Sequence, residues 1–176
     1  MTVREEKDDT MGLRERAQDL RRRLNDLALD IQPLAGEAAH IFADADYEVH
    51  RHWLELELSG YGSAVDRAPL EAVLGVHELG AHEGARLVAH VFAYRAQKGT
   101  MVEPAPRPFE HFFVESLGHL STEAQRFRGD RATTVRLDFG PGVPGYPAAG
   151  IFPGDVFERV LLGFRATLHL QLGSVA

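Results

Sequence analysis

The sequence predicts an α+β protein: an N-terminal three-helix unit, a small antiparallel sheet in the middle and a long C-terminal helix packing on the core. Three observations lead to this prediction. Apolar residues recur at helical spacing through the first 62 residues and again near the C-terminus, and a β-branched segment between them alternates. With 176 residues the chain suits one domain, predicted to span residues 12–176 after a disordered tail over residues 1–11.

Residues 12–62 are predicted to form three helices joined by short turns. From Leu13 to Ile31, apolar residues at helical spacing are separated by charged ones. Pro33 ends this helix or begins the next, a short alanine-rich helix over Leu34–Phe42. The basic cluster Arg21–Arg23 is expected on the exposed side of the first helix.

The third helix of this unit lies within Asp44–Gly62, with Asp44 or Asp46 as the expected N-cap and Gly60 suited to the turn beyond the helix end. Trp53 is interpreted as a core residue rather than a binding residue, because it belongs to the apolar sector. That sector comprises Tyr47, Val49, His50, Trp53, Leu54, Leu56 and Leu58.

Residues 70–140 are predicted to be a mixed β and α region, and Leu70–Lys98 fits two structures. A β-hairpin turning at His82–Gly84 is preferred, because Leu87–Tyr94 is a nearly unbroken apolar run and each glycine costs a helix interior about 1 kcal/mol. The alternative is a helix, on which one face would hold Val73, Val76, Gly80, Gly84, Leu87, Val91 and Arg95.

The segments that follow alternate between loop, helix and strand. Glu103–Pro108 is predicted to be a loop with polyproline character, and Phe109–Phe127 a helix. Ala132–Phe139 alternates and is β-branched, so it is predicted to be a strand. Residues 141–153 are rich in glycine and proline and are predicted to form a long irregular loop.

The terminal helix is predicted over residues 154–172, with Asp155 as its cap. Its buried stripe is formed by Phe157, Val160, Leu161, Phe164 and Leu168. Leu162, Leu170 and Leu172 widen this stripe beyond one face, which suits either a fully buried helix or packing against a second subunit. A homo-oligomer is therefore expected.

Composition excludes several classes of function. The net charge of −7 argues against nucleic-acid binding, which needs a basic surface, and the absence of cysteine excludes disulfides, thiol catalysis and cysteine-based zinc sites. The N-terminus has no apolar signal region, and no apolar run approaches the roughly 20 residues of a membrane span. We expect a soluble, cytoplasmic protein without membrane contact.

Two motifs resemble known sites and depart from them chemically. Gly140–Gly145 (GPGVPG) has the spacing of a dinucleotide-binding loop, but its prolines lack N–H groups and no helix begins after it, so a proline-rich turn is preferred. His77 and His82 are one residue too far apart for the zincin motif, whose two histidines lie on one helical face. No catalytic, cofactor-binding or metal-binding residue is assigned.

Two separated segments carry a family resemblance. One is the helix end WLELELSGYG, Trp53–Gly62; the other is Pro153–Leu172, PGDVFERVLLGFRATLHLQL, in which Phe157, Val160, Leu161 and Arg165 are the shared positions. Together they resemble the AbiTii family of bacterial proteins, which is associated with abortive infection and phage defence. Ser63–Val73 departs from the proline- and tyrosine-containing strand entry typical of that family.

The resemblance implies a single AbiTii-like domain over residues 12–176 that acts in bacterial defence by protein–protein interaction, as a sensor, adaptor or regulatory subunit. The expected partner is another protein or a second copy of the chain, and no cofactor is expected.

Two alternative functions stay open. The first is a metal-dependent hydrolase or nuclease-type toxin, for which the candidate residues are His77, Glu78, His82, Glu83 and His90. The second is a small-ligand sensor with a pocket lined by Phe92, Tyr94, Phe112 and Phe113.

Overall fold

The N-terminal helices predicted from the sequence are present, with shifted boundaries. A computed structural model describes residues 12–76, 81–102, 105–130, 133–139 and 148–175. Helix α1 spans Leu13–Leu24, α2 spans Ile31–Asp44 and α3 spans Glu48–Ser59. The helix α2 packs against both α1 and α3.

The first helix is seven residues shorter than predicted, because Ile31 begins α2 instead of ending α1. The Asp30 side chain accepts a hydrogen bond of 3.0 Å from the Gln32 backbone N–H and so caps α2. Pro33 lies in the first turn of α2, where a missing N–H breaks no helical bond. At α3 the predicted aspartate cap is wrong: Tyr47 occupies the N-cap position without a side-chain cap bond.

Residues 70–98 do not form the preferred β-hairpin. Short helices α4 (Ala64–Arg67) and α5 (Leu70–Val73) precede a long helix α6 over Ala81–Arg95. The helical face suggested by the spacing is the one buried, with Leu87 and Val91 wholly inaccessible. Gly84 fits inside this helix because Val76 packs directly on it: a Cβ there would lie 2.1 Å from a Val76 methyl.

The sheet is small and wholly antiparallel, in the order β2-β1-β4-β3. Strand β1 spans Ala96–Met101, β2 spans Arg107–Phe112, β3 spans Thr134–Asp138 and β4 spans Ala149–Pro153. The predicted strand is confirmed as β3. Part of the predicted glycine- and proline-rich loop is in fact β4, and the motif at residues 140–145 lies outside the described residues.

The predicted helix over Phe109–Phe127 begins eight residues late, as helix α7 over Leu117–Asp130. Residues 109–112 belong to β2 instead, where Phe109 pairs with Gly99 of β1 and His111 pairs with Gln97. Both side chains turn to the aromatic cluster, in which Phe109 and Phe152 lie 5.5 Å apart and His111 and Phe113 lie 4.8 Å apart. Pairing with β1 therefore outweighs the local helical spacing.

The C-terminal helix α8, Val156–Leu172, is confirmed as the long helix on the core. It contacts α1, α2, α6 and α7, and Val160, Phe164, Leu168 and Leu172 are wholly buried along it. Asp155 takes the N-cap position, but its carboxylate accepts a hydrogen bond from Arg159 at 2.9 Å instead of capping the helix.

Arg165 of α8 stabilises the turn between α1 and α2 through hydrogen bonds. Its guanidinium donates hydrogen bonds to the carbonyl oxygens of Leu24 and Asp26, each at 3.2 Å, and to that of Leu29. These carbonyls lie at or beyond the end of α1, where the helix itself supplies no donors. Arg165, one of the positions on which the AbiTii resemblance rests, thus has a structural role in this chain.

Among the residues that the structure describes, no helix is both long enough and apolar enough to cross a bilayer.

Candidate interaction surface

Five histidines and carboxylates were proposed from the sequence as metal ligands, and three of them, His82, Glu83 and His90, lie on α6. His77 and Glu78 lie outside the described residues. His82 is exposed on the first turn of α6, whereas Glu83 and His90 line a small cleft between α3, α6 and the C-terminal end of α8. That cleft has a volume of about 140 Å³, and His50 also lines it.

His50 is the most buried group of this cleft, with 4% of its surface exposed. Its Nε2 lies 3.0 Å from Gln171 Oε1, and its ring stacks on Phe42 at 4.9 Å. Burial lowers the pKa of His50, while the bond to Gln171 and the charge of Glu83 act in the opposite direction. Across the described part of the chain, no three histidine, aspartate or glutamate side chains are placed to hold a metal ion.

Glu57 of α3 and Arg95 of α6 form a buried ion pair. Both side chains are wholly inaccessible. Glu57 Oε1 accepts hydrogen bonds from the hydroxyls of Tyr61 and Tyr94, at 2.6 and 2.7 Å, and from the Trp53 indole N–H at 3.2 Å. Because these donors saturate the carboxylate and nothing reaches it from solvent, we interpret the pair as structural.

This network was not predicted from the sequence. Glu57 stands between Leu56 and Leu58 and is one residue among several acidic ones on α3, so its burial has no distinctive local signal. A signal did exist at Arg95, which shares the apolar helical face of α6 with Leu87 and Val91. An arginine in such a line must be paired when it is buried, and its partner has to come from another element.

The aromatic residues nominated for a ligand pocket do not meet in one. Phe113 is wholly buried and packs on Phe152 and Phe157, and Tyr94 is 5% exposed and packs on Phe164. Phe92 is on the surface with 47% of its area exposed and meets only the edge of this group, through Phe112 at 6.4 Å.

The exposed side of α6 is apolar and has a groove along each of its two sides. We call it the α6 face and define it by Ala85, Val88, Ala89, Phe92 and Ala93. All of these are exposed except Val88, which is half-buried. A row of alanines beside one large aromatic side chain leaves the helix backbone open to close approach by another molecule.

A groove of about 670 Å³ runs along one side of the α6 face. Its far wall is formed by residues of the segment 69–76, and we call it the α5–α6 groove. Its lining is apolar apart from Glu71, and consists of Pro69, Leu70, Glu71, Val76, Gly84, Ala85, Val88, Ala89 and Phe92. A volume of this size accommodates several apolar side chains.

A second groove, of about 390 Å³, runs along the other side of the face between α6 and α8. Ala93 contributes to one wall, and Gly163, Ala166 and Leu170 to the other. Leu170 is 50% exposed, so an apolar surface extends from Phe92 across α6 to α8. Leu170 was expected to widen the apolar stripe of α8 and does so, whereas Leu172 belongs to the core.

A separate cleft of about 400 Å³ lies between the α1–α2 turn, α7 and α8. Leu27 and Leu162, 66% and 42% exposed, line it. The lining also contains Arg165, bound to backbone carbonyls, and the Arg128–Glu158 pair at 2.7 Å. Both of its arginines are thus paired within the chain, and the cleft is more polar than the α5–α6 groove.

No family model matches the chain, and neither a curated protein nor a solved structure matches it. The AbiTii resemblance therefore stays a prediction, and the case for a functional surface comes from the geometry of the chain.

Proposed function

We propose that this protein is a cytoplasmic, bacterial, defence-associated protein of the AbiTii type. It acts by protein–protein contact as a sensor, adaptor or regulatory subunit and catalyses no reaction. The observation that carries the interaction part is the α6 face, where a half-exposed phenylalanine borders an apolar groove of about 670 Å³. The defence part comes from the sequence resemblance at Trp53–Gly62 and Pro153–Leu172.

Burial of Phe92 is the main energetic reason for assigning contact to this surface. Complete burial of a phenylalanine side chain is favourable by about 1.5–3 kcal/mol, and nearly half of this one is still in water. Aromatic side chains at the centre of an apolar patch are the residues that most often dominate binding energy at protein interfaces. The alanines around Phe92 add contact area with almost no loss of side-chain entropy.

The surroundings of the α6 face have the polar rim expected of an interface. Glu71 stands on the α5 side, and Glu83 and Arg86 stand on the side toward the small cleft. All three are exposed. Exposed charges at a rim contribute little affinity but restrict the choice of partner and its orientation.

A phage-challenge assay tests this function. Bacteria that express the chain with Phe92→Ser should lose most of the protection given by the unchanged chain, measured as efficiency of plating. Leu162→Ser is the matched control, because it removes a similarly exposed apolar residue from the separate cleft beside α7. Equal protection by all three chains would contradict the proposal, as would an absence of protection by the unchanged chain against every phage tested.

A metal-dependent hydrolase is the second candidate, and one observation favours it: Glu83 and His90 share a cleft with His50. Elemental analysis of the purified chain, with His90→Ala beside it, tests this function. A stoichiometric metal in the unchanged chain that is lost from the variant would support the hydrolase and count against the interaction protein.

A further inference from the structure

We propose that the α6 face is a self-association surface, on which two copies pack with their α6 helices antiparallel about a two-fold axis. Each Phe92 enters the α5–α6 groove of the other copy, beside Val76 and Ala85. This inference rests on the proposed function, because it names the partner of the same surface.

The α6 face carries both halves of a self-complementary contact. In a two-fold dimer, residue i of one copy meets residue j of the other and the reverse contact follows. Phe92 is a projecting side chain, and Ala85, seven residues earlier, is the small residue on the same side of the helix. Seven residues correspond to two helical turns, about 10 Å along the axis.

An axis midway between Val88 and Ala89 therefore places each Phe92 over the other copy's Ala85. At that level the groove is bounded by Val76, Gly84 and Ala85. Val76 covers Gly84 on this side, and Ala85 is the exposed position whose side chain is only a methyl group. The groove volume of about 670 Å³ is ample for one phenylalanine and the alanines beside it.

The available area suits a weak dimer. The 15 residues of α6 give a length of about 22 Å. Flanking elements spaced by about 8–10 Å extend the contact surface to a width of roughly 25 Å. Each copy would then bury on the order of 500 Å², or about 1,000 Å² in total, which is at the lower limit for a specific interface.

The charges around the face favour a second copy over a strongly charged partner. The rim holds both signs: Glu71 and Glu83 stand with Arg86, and Arg159 is already paired with Asp155 at 2.9 Å. The rim therefore carries no strong charge of either sign, and in a two-fold dimer it meets an identical rim. Each chain carries a net charge of −7, so the two copies repel at long range and added salt should strengthen their association.

Sedimentation velocity of the full chain over a range of concentrations tests the proposal. We expect a monomer–dimer equilibrium that strengthens from low to moderate salt. Phe92→Ser should weaken dimerisation by about tenfold or more, because the contribution of a central aromatic residue exceeds about 1.4 kcal/mol. Leu162→Ser, the matched control on the other cleft, should leave the dimerisation constant unchanged.

A mixing experiment tests the antiparallel geometry. Ala85→Phe fills the groove and should block dimerisation on its own, as Phe92→Ser does by removing the projecting side chain. An equimolar mixture of the two variants should recover part of the association, because the Phe92 of one variant fits the open groove of the other. Circular dichroism of each variant confirms that it is folded.

The outcomes separate this inference from the proposed function. A chain that stays monomeric at every concentration, while Phe92→Ser still abolishes phage protection, would overturn self-association and leave contact with a different protein at the same face. A dimer that is insensitive to Phe92→Ser would overturn the geometry. If Phe92→Ser changes neither association nor protection, both the inference and the proposed function are wrong.

Discussion

At the scale of single residues, the molecule is held together by a few buried polar groups with complete sets of partners. Arg95 shows this most clearly. Besides its ion pair with Glu57, it donates hydrogen bonds to the carbonyl oxygens of Phe113 and Glu115, at 2.9 and 2.7 Å, and lies over the ring of Tyr61. One guanidinium thereby joins α3, α6 and the loop that leads from β2 into α7.

The prediction that belongs to this network is a loss of stability in Glu57→Gln. The variant leaves the Arg95 charge buried without its counter-ion, and removal of one partner from a buried pair costs about 3–5 kcal/mol. Urea unfolding followed by circular dichroism measures the change. Glu55→Gln, on the exposed side of the same helix, should change stability by less than about 0.5 kcal/mol. A loss for Glu57→Gln no larger than for Glu55→Gln would show that the pair is dispensable.

His111 leads to a prediction about pH. Burial lowers its pKa to about 4, whereas an unfolded chain has a histidine pKa near 6.5. Between these values the unfolded state binds more protons, so stability is complete above pH 6.5 and is lost as the pH falls toward 4. The loss from this residue alone amounts to about 3 kcal/mol.

A comparison of two variants isolates this contribution from the carboxylates that titrate in the same range. His111→Leu should flatten the fall in unfolding free energy between pH 6.5 and 4, while the exposed His119→Leu should keep it. Identical pH profiles for both variants would contradict a buried neutral His111.

At the scale of elements, the close approach of α6 and α8 depends on one glycine. A Cβ at Gly163 would lie 2.2 Å from the Cβ of Tyr94, which is too close for any side chain. Gly36 is also inside a helix, yet a Cβ there has no neighbour within 4 Å.

The two glycines should therefore respond in opposite directions to the same substitution. Gly36→Ala should raise the free energy of unfolding by up to about 1 kcal/mol, because alanine is the better helix former. Gly163→Ala should lower it by about 1–3 kcal/mol, because the helices must separate or shift. Thermal unfolding of both variants measures this. An increase in stability for Gly163→Ala would contradict the close packing of α8 on α6 at Tyr94.

Elements with a one-sided apolar pattern could be predicted from the sequence, and elements decided by contacts between distant residues could not. The terminal helix and β3 have clear local periodicity and were predicted correctly. Two glycines, Gly80 and Gly84, and a run of apolar residues suggested a hairpin. Gly84 nevertheless lies inside α6, where packing of Val76 on it offsets its cost to the helix. Strands β1 and β2 are specified by their pairing, Gln97 with His111 for example, which local sequence does not reveal.

At the scale of the whole molecule, α8 lies at the centre of the fold, and α6 packs on it with one side buried and the other exposed to solvent. Helix α8 is in contact with four other helices, and its close packing on α6 fixes the side of α6 that faces solvent. Sequence periodicity predicted excess apolar surface on α8 at Leu162, Leu170 and Leu172, of which the first two are exposed and Leu172 is buried. It did not predict the α6 face, because the exposure of Phe92 depends on where the segment 69–76 lies.

Native mass spectrometry of the gently desolvated protein separates a self-associating interaction protein from a metal-dependent enzyme, because one spectrum reports both the assembly and its metal content. We expect a metal-free dimer in equilibrium with monomer, shifted to monomer by Phe92→Ser and unchanged by Leu162→Ser. A monomer that carries a stoichiometric metal ion would contradict it and would make Glu83 and His90 the first residues to replace.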